Sequence, residues 1–327
     1  MTIPQRTVVL GTLGFGTIVD EETSFRILDR FVEGGGTVLD TANNYAFWLD
    51  GATGDESEAV IGRWLASRKV RDQVVISTKV GARPTVPGAG LEAAEGLSEK
   101  AIRAGIEGSL RRLGTDRVEV YWTHIEDRSV PLAETVEALA GLVTSGKAGA
   151  VGASNHAVWR VERARALAGD GPRYSHLQYR YSYLQPRFDV PLLSSAHVHV
   201  TSELLDYVRS EGDLRLWVYS PILSGGLTRD DVEIGAAYDH PGTPRRLAAL
   251  RAVAEETGTT VNQVALSWLL DHEAGILPLV GVSRTAQLDE ALGALDLTLT
   301  AEQRKRLDLA ELYGVPRGAR PGPRATG

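Results

Sequence analysis

The chain has no cysteine among its 327 residues, which excludes disulfides, thiolate metal sites and cysteine nucleophiles. It also lacks a long hydrophobic run. The longest, residues 274–282, is about half as long as a membrane-spanning helix of roughly 20 residues. The amino terminus has neither the apolar core nor the small-residue cleavage site of a secretion signal, so we expect a cytoplasmic protein without a membrane partner.

Excess positive charge is a further absence, because the net charge is −7. Nucleic-acid binding needs a basic face, so we expect no nucleic-acid partner. What is present is a balance of 43% hydrophobic and 24% charged residues, which is typical of a soluble globular protein. A large buried core is therefore expected.

Short runs rich in Val, Ile and Tyr alternate with stretches of helical periodicity along nearly the whole chain. We predict strands at residues 8–16, 37–42, 74–80, 118–124, 149–154, 176–182, 214–220 and 276–282. We predict helices at residues 22–33, 56–67, 99–113, 132–145, 157–168, 202–210, 245–271 and 286–295, the seventh broken near Gly258. Eight strand–helix pairs favour an α/β fold of one domain, a (β/α)8 TIM barrel over residues 1–313.

Local signals support these boundaries. Ser98 and Thr201 are helix N-cap candidates, and Gly114, Gly146 and Gly258 stand where helices should end. Connections 45–55, 81–97 and 222–244 are long and would project from the carboxyl ends of strands, where barrel active sites lie. Residues 314–327 are rich in Pro, Gly and Arg, which predicts a mobile tail.

Charged residues close three consecutive predicted strands. Asp40, Lys79 and His124 each fall at the carboxyl end of a strand, and Tyr45 follows five residues after Asp40. Because side chains alternate along a strand, Ser77 shares a face with Lys79. The four chemical groups suit carbonyl reduction, in which the developing alkoxide needs a proton donor and electrostatic stabilisation. Each residue alone is more often a solvated rim residue, and the combination carries the prediction.

In this prediction Tyr45 donates the proton, although a phenol has a reference pKa of about 10. The Lys79 ammonium would lower the pKa of Tyr45 by up to roughly three units before any desolvation penalty. Asp40 would keep Lys79 charged and oriented, and His124 would donate a hydrogen bond to the substrate oxygen.

These motifs resemble those of the aldo-keto reductase superfamily over essentially the whole barrel. Residues 40–45, DTANNY, resemble the segment with the family's aspartate and catalytic tyrosine. Residues 78–80, TKV, resemble its lysine strand, and residues 121–124, YWTH, the strand that ends in its histidine. The resemblance implies a nicotinamide dinucleotide bound across the barrel mouth without a Rossmann domain. Accordingly, the G-x-x-G-x-G run at residues 11–16 is the reverse of the dinucleotide fingerprint and reads as a turn-rich first strand.

The resemblance also implies which residues contact the cofactor. Ser154 and Asn155 would hold the nicotinamide carboxamide together with Gln178, although the first two are also N-cap candidates for the next helix. The expected contacts with ring, pyrophosphate and adenosine phosphate are Tyr219, Ser220, Pro221, Gly281, Ser283, Arg284, Gln287 and Glu290. Arg284 and Ser283 favour NADPH over NADH, because a guanidinium suits the 2′-phosphate. Ala291 is a departure, since many members carry there an asparagine that contacts adenine.

Other functions compete with this hypothesis. A barrel that keeps the cofactor for regulation or redox sensing has no need of Tyr45. A hydrolytic or lyase barrel that uses Asp40 and His124 with a metal lacks a ligand cluster beyond His197 and His199. The main hypothesis is therefore NADPH-dependent reduction of an aldehyde or ketone.

Substrate contacts are predicted in the loop after Tyr45. Phe47 and Trp48 would form a flat apolar wall, and Asp50 and Asp55 would accept hydrogen bonds from hydroxyl groups. This mixture suggests a keto sugar or another polyhydroxylated metabolite.

Overall fold

A computed structural model describes residues 2–191 and 196–310 of the chain. Its eight parallel strands pair in sequence order, and β1 pairs with β8 to close the barrel. The strands are β1 (Val9–Gly11), β2 (Val38–Asp40), β3 (Val75–Val80), β4 (Val118–Thr123), β5 (Ala148–Ser154), β6 (Tyr174–Arg180), β7 (Arg215–Tyr219) and β8 (Ile276–Gly281). The predicted (β/α)8 barrel is confirmed. The predicted tail at residues 314–327 lies outside the described residues.

Helices follow the strands around the outside of the barrel. They are α1 (Glu21–Glu33), α2 (Glu56–Arg68), α3 (Glu99–Leu113), α4 (Leu132–Thr144), α5 (Val158–Ala168), α6 (Ser202–Ser210), α7 (Gly242–Thr257), α8 (Val261–Leu270), α9 (Thr285–Gly293) and α10 (Ala301–Asp308). Short 3-10 helices cover Arg71–Gln73, Leu91–Ala93, Leu223–Gly225 and Ala236–Tyr238. Within the described ranges, no helix is long and apolar enough to cross a membrane. The cytoplasmic location stays a prediction.

Helix ends follow the predicted signals. The hydroxyls of Ser98 and Thr201 accept hydrogen bonds from backbone amides at the starts of α3 and α6. Gly114 ends α3 with a φ of 63°, a left-handed conformation that favours glycine. Gly258 separates α7 from α8 in the same way, with a φ of 64°. The predicted break in the helix at residues 245–271 is therefore confirmed.

The first strand is shorter than predicted, since it ends at Gly11 and not at residue 16. The chain then turns: the Val19 amide donates to the Gly14 carbonyl, and Gly16 has a φ of 77°. No Rossmann unit follows, because β1 belongs to the closed barrel. Residues 12–16 therefore form a turn after the first strand and are not part of it.

Two layers of apolar side chains position the site. One cluster takes alternate strand residues that face the barrel interior: Val9, Val38, Val75, Val120, Trp122, Trp217, Leu277 and Leu279. The larger cluster lies between the strands and the surrounding helices. Asp40 and Lys79 have the same strand parity as the interior residues Val38 and Val75, and both are fully buried. The apolar interior thus gives way to charged groups at the carboxyl edge of the barrel.

Candidate active site

Three of the four predicted catalytic side chains form one hydrogen-bonded group. The Lys79 Nζ atom donates to the Tyr45 hydroxyl at 2.6 Å, to the Thr41 carbonyl at 2.8 Å and to the Asp40 carboxylate. The Tyr45 hydroxyl in turn donates to Asp40 Oδ2 at 2.9 Å. A phenol that accepts from an ammonium and holds its own proton is arranged to release that proton, because the ammonium stabilises the phenolate left behind.

Asp40 is held by more donors than the sequence indicated. Its Oδ1 atom accepts hydrogen bonds from Ser77 Oγ at 2.6 Å and from Gln178 Nε2 at 3.1 Å. Ser77 lies opposite Asp40 in the β2–β3 register. The position of Ser77 on the same strand face as Lys79 was the sequence signal for this contact, but no role was predicted for Ser77. Both oxygens of the carboxylate are therefore occupied, which fixes its orientation beneath Tyr45.

Burial dominates the electrostatics of this group. Desolvation raises the pKa of Tyr45 well above its usual value, and the neighbouring Asp40 carboxylate raises it further. Desolvation also lowers the pKa of Lys79, against the opposing effect of Asp40. The expected lowering of the Tyr45 pKa by Lys79 is therefore outweighed by burial and by Asp40. The consequence suits an acid, because the phenol keeps its proton at neutral pH.

His124 lies beside this group, immediately after β4. Its ring centroid is 6.0 Å from that of Tyr45 in an edge-on arrangement. Burial lowers the pKa of His124 well below its usual value, and the charge of Lys79 adds to that effect. The ring is therefore neutral near pH 7, so it has one N–H donor and one acceptor nitrogen.

A cleft of about 970 Å³ opens at the carboxyl ends of the strands. Tyr45 and His124 border it, whereas Asp40 and Lys79 lie beneath its floor. Most of the predicted cofactor and substrate residues also border it: Phe47, Trp48, Ser154, Asn155, Gln178, Tyr219, Ser220, Pro221, Gly281, Ser283, Arg284, Gln287 and Glu290. The fold thus brings these residues and the four predicted catalytic residues to one cleft or directly under it, and Asp50 and Asp55 are the exceptions.

Asn155 organises the part of the cleft nearest His124. Its Nδ2 atom donates to the His124 carbonyl at 3.2 Å, and its Oδ1 atom accepts from the Tyr219 hydroxyl at 2.7 Å. The N-cap residue of α5 is Ala157, and its amide donates to the Glu126 carboxylate at 2.9 Å and not to Ser154 or Asn155. The capping alternative for Ser154 and Asn155 is therefore wrong, and both side chains lie at the cleft.

The other end of the cleft is formed around the start of α9. Gln287 Oε1 accepts from the backbone amide of Ser283 at 2.9 Å and from its hydroxyl at 3.1 Å, which shapes the turn before the helix. Arg284 is exposed, and its guanidinium makes no hydrogen bond or ion pair within residues 2–191 and 196–310. A free cation at a helix start is suited to an anionic ligand.

The loop after Tyr45 differs in part from the prediction. Phe47 and Trp48 pack edge-on, with centroids 5.3 Å apart, and both border the cleft. Asp50 and Asp55 do not border it, and Asp55 instead pairs with Arg83 and with Arg112. The expected hydroxyl contacts to these carboxylates are therefore wrong. Leu13, Ile18, Leu91 and Ile125 add apolar surface to the cleft.

The histidines near the cleft are not part of a metal-ligand cluster in the part of the chain that the structure describes. Within the described part of the chain, no three His, Cys, Asp or Glu side chains are grouped to hold a metal ion. His197 borders the cleft and packs against Tyr219, with ring centroids 5.4 Å apart.

Comparison with known proteins agrees with this geometry. A family model described as the aldo/keto reductase family matches residues 7–311. The chain belongs to the aldo/keto reductase family. The resemblance in the sequence motifs is thereby confirmed.

Individual relatives of this aldo/keto reductase are oxidoreductases. An uncharacterized oxidoreductase of Bacillus subtilis, YrpG, is 32% identical, and the match covers 95% of this chain and 93% of the relative. A norsolorinic acid reductase of Emericella nidulans is 30% identical, with 90% of this chain and 75% of the relative covered. Among solved structures, the thermostable aldo-keto reductase Tm1743, in complex with the inhibitor epalrestat, matches with a TM-score of 0.71 and 25% identity over 94% of this chain and 95% of that chain.

Proposed function

We propose that this aldo/keto reductase reduces an aldehyde or ketone with NADPH and that Tyr45 is the general acid. The observation that carries the proposal is the Tyr45 hydroxyl itself. Tyr45 borders the cleft, and its hydroxyl accepts a hydrogen bond from Lys79 and donates one to Asp40. A cofactor-binding barrel without turnover would have no use for a protonated phenol held between an ammonium and a carboxylate.

The residues fit a nicotinamide dinucleotide. Polar side chains from β5, β6 and β7 border the cleft near Tyr45, and Arg284, which has no partner among the described residues, borders its other end. We propose that Ser154, Asn155 and Gln178 hold the carboxamide and that Tyr219 packs on the nicotinamide ring. Ser220, Pro221 and Gly281 would line the pyrophosphate. When bound, NADPH supplies the hydride for the carbonyl carbon.

Proton transfer follows from the hydrogen bonds. The substrate oxygen lies within reach of the Tyr45 hydroxyl and of the neutral His124 ring, so negative charge that develops on it is met by donors. Tyr45 gives up its proton, and the phenolate is stabilised by the Lys79 ammonium at 2.6 Å. Asp40 keeps Lys79 charged inside the barrel, because an isolated buried ammonium would lose its proton.

The substrate body that fits best is apolar. Leu13, Ile18, Phe47 and Trp48 border the cleft, and Ile18 and Trp48 are 65% and 57% exposed. Large exposed apolar side chains around one opening are typical of a ligand surface. Asp50 and Asp55, the carboxylates that suggested a polyhydroxylated substrate, do not border the cleft.

The test is the substitution Tyr45→Phe, which removes only the hydroxyl. We expect NADPH-dependent reduction of carbonyl substrates to fall by about 10²–10⁴-fold, because the proton donor is lost. NADPH affinity, measured by fluorescence titration, should change little. Near-normal turnover in the Phe variant would place the acid elsewhere.

A further inference from the structure

The segment that carries Tyr45 lies against the loop that follows β3. Residues 41–44 connect the end of β2 to Tyr45, and residues 81–98, here called the β3 loop, connect β3 to α3. The backbone amide of Thr41 donates to the Ser77 carbonyl at 2.9 Å, and that of Asn43 donates to the Lys79 carbonyl at 3.3 Å. The segment therefore continues alongside β3 beyond the end of β2 and reaches the start of the β3 loop.

Three hydrogen bonds that involve side chains join the segment to the β3 loop. Asn43 Nδ2 donates to Glu95 Oε1 at 2.8 Å, and Asn44 Nδ2 donates to the Ala82 carbonyl at 3.0 Å. Arg83 Nη1 donates to the Asn43 carbonyl at 2.8 Å. Asn43 and Asn44 are buried, with exposures of 1% and 3%, so water does not readily replace a lost partner.

Glu95 connects two parts of the chain through one atom. Its Oε1 atom accepts from Asn43 Nδ2 and also from the Gly81 amide at 2.8 Å, directly after β3. Glu95 is half-buried and forms no ion pair within residues 2–191 and 196–310. The end of its loop is fixed in turn, because the Leu97 amide donates to Asp127 Oδ2 at 2.9 Å. The Glu95 carboxylate therefore serves as a hydrogen-bond acceptor at a fixed place.

The backbone next to Tyr45 needs such support. Ala46 is fully buried and has a φ of 62°, a left-handed conformation that a residue with a side chain keeps only where its surroundings hold it. We expect a segment released from the β3 loop to relax at this residue. The Tyr45 hydroxyl would then move from its place 2.6 Å from Lys79 Nζ.

We infer that Glu95, through its hydrogen bond to Asn43, is a positioning residue for the proton donor Tyr45. This inference rests on the proposed function, in which Tyr45 is the general acid. Neither Glu95 nor Asn43 borders the cleft, so the effect on the reaction passes through the segment that carries Tyr45. That effect is large, because a displacement of about 1 Å can cost about 100-fold in rate.

The experiment has one readout of the segment and one of the reaction. Hydrogen–deuterium exchange of the ligand-free protein, followed by mass spectrometry, reports the peptide that spans residues 41–49. We expect Glu95→Ala to speed its exchange by about 10-fold, because the segment opens more often. The same variant should lower kcat, counted per NADPH-binding site, by about 10- to 100-fold, while NADPH affinity changes by less than about twofold.

Other variants make the test specific. Glu95→Gln keeps an oxygen acceptor for both donors, so it should restore exchange and kcat to nearly those of the unmodified protein. Asn43→Ala removes the other partner and should repeat the effects, and the double variant should be no worse than Glu95→Ala, because the same contact is lost. Asn43→Ala also serves as the test if Glu95→Ala does not fold. The matched control is Glu92→Ala, since Glu92 is exposed in the same loop and accepts from the Gly90 amide.

The outcomes separate the inference from the function on which it rests. Normal kcat in Glu95→Ala and Asn43→Ala overturns the inference and leaves the proposed function standing, and so does a lower kcat without faster exchange. Equal losses in Glu95→Gln or in Glu92→Ala also overturn it, because charge or a general loosening of the loop would then be the cause. If Tyr45→Phe, measured in parallel, keeps near-normal turnover, the proposed function fails and the inference fails with it.

Discussion

At the scale of single residues, the buried carboxylate of Asp40 depends on donors that are not themselves catalytic. Ser77 donates to Asp40 Oδ1 at 2.6 Å, and both side chains are fully buried. Loss of one donor to a buried charge costs more than loss of a solvated hydrogen bond, because no water replaces it. We therefore expect Ser77→Ala to lower the free energy of unfolding by about 1–3 kcal/mol.

The chain offers a matched control for that prediction. Ser109 is also fully buried, but its hydroxyl has no hydrogen-bond partner among residues 2–191 and 196–310. Ser109→Ala removes the same atom without breaking a hydrogen bond, so stability should be unchanged or slightly higher. Denaturant unfolding of the two variants measures the difference. Equal losses of stability would show that the Ser77 hydrogen bond contributes nothing beyond its packing.

Some contacts of the site could be predicted from the sequence, and others could not. The meeting of Asp40, Lys79 and His124 was predictable because strand ends of a parallel barrel converge at one edge, and Tyr45 follows Asp40 by only five residues. The Asn43–Glu95 contact was not, because it joins side chains of two different loops whose relative placement no periodicity reveals. The direction of the pKa shift of Tyr45 was also not predicted. Charge proximity was visible in the sequence, but the depth of burial was not.

At the scale of elements, residues 45–55 show how a loop is shaped for a ligand. At the end of this loop, Asp55 forms ion pairs with Arg83 and with Arg112 on α3. Earlier in the loop, Phe47 and Trp48 border the cleft. Trp48→Ala should lower kcat/KM for a bulky aromatic aldehyde by about 10-fold while that for propanal changes little, because only the larger substrate contacts the indole. Steady-state kinetics with both aldehydes measures this.

Trp159→Ala is the control for that variant. Trp159 lies on α5, is 51% exposed and does not border the cleft, so its removal should leave both rates unchanged. An equal loss for the small and the bulky aldehyde in Trp48→Ala would mean that Trp48 supports the loop and does not contact the substrate.

Helices and strands with strong apolar periodicity were predictable, whereas α10, which lacks it, was not predicted. Ala301–Asp308 is mostly charged, and Leu307 is its one buried residue, so no amphipathic pattern marks it. Its capping box, Thr300 with Gln303, was the remaining sequence signal. The length of β1 was overestimated for a related reason. Residues 12–16 continue the apolar character of the strand, but the glycines there form a turn.

At the scale of the whole molecule, residues of α8, of α9 and of the strand ends border one cleft, in which we propose that the cofactor binds. A ligand that binds only the folded protein raises its stability by an amount set by concentration over Kd, about 2.7 kcal/mol at 100 times Kd. NADPH should therefore raise Tm by several degrees and NADH by less at equal concentration, because only NADPH has the 2′-phosphate proposed to bind Arg284. Arg284→Ala should bring the two shifts together by reducing the NADPH shift. Arg251→Ala, on the exposed face of α7, is the control. Thermal unfolding with each dinucleotide measures these shifts, and an equal reduction of both by Arg284→Ala would show that Arg284 does not distinguish the phosphate.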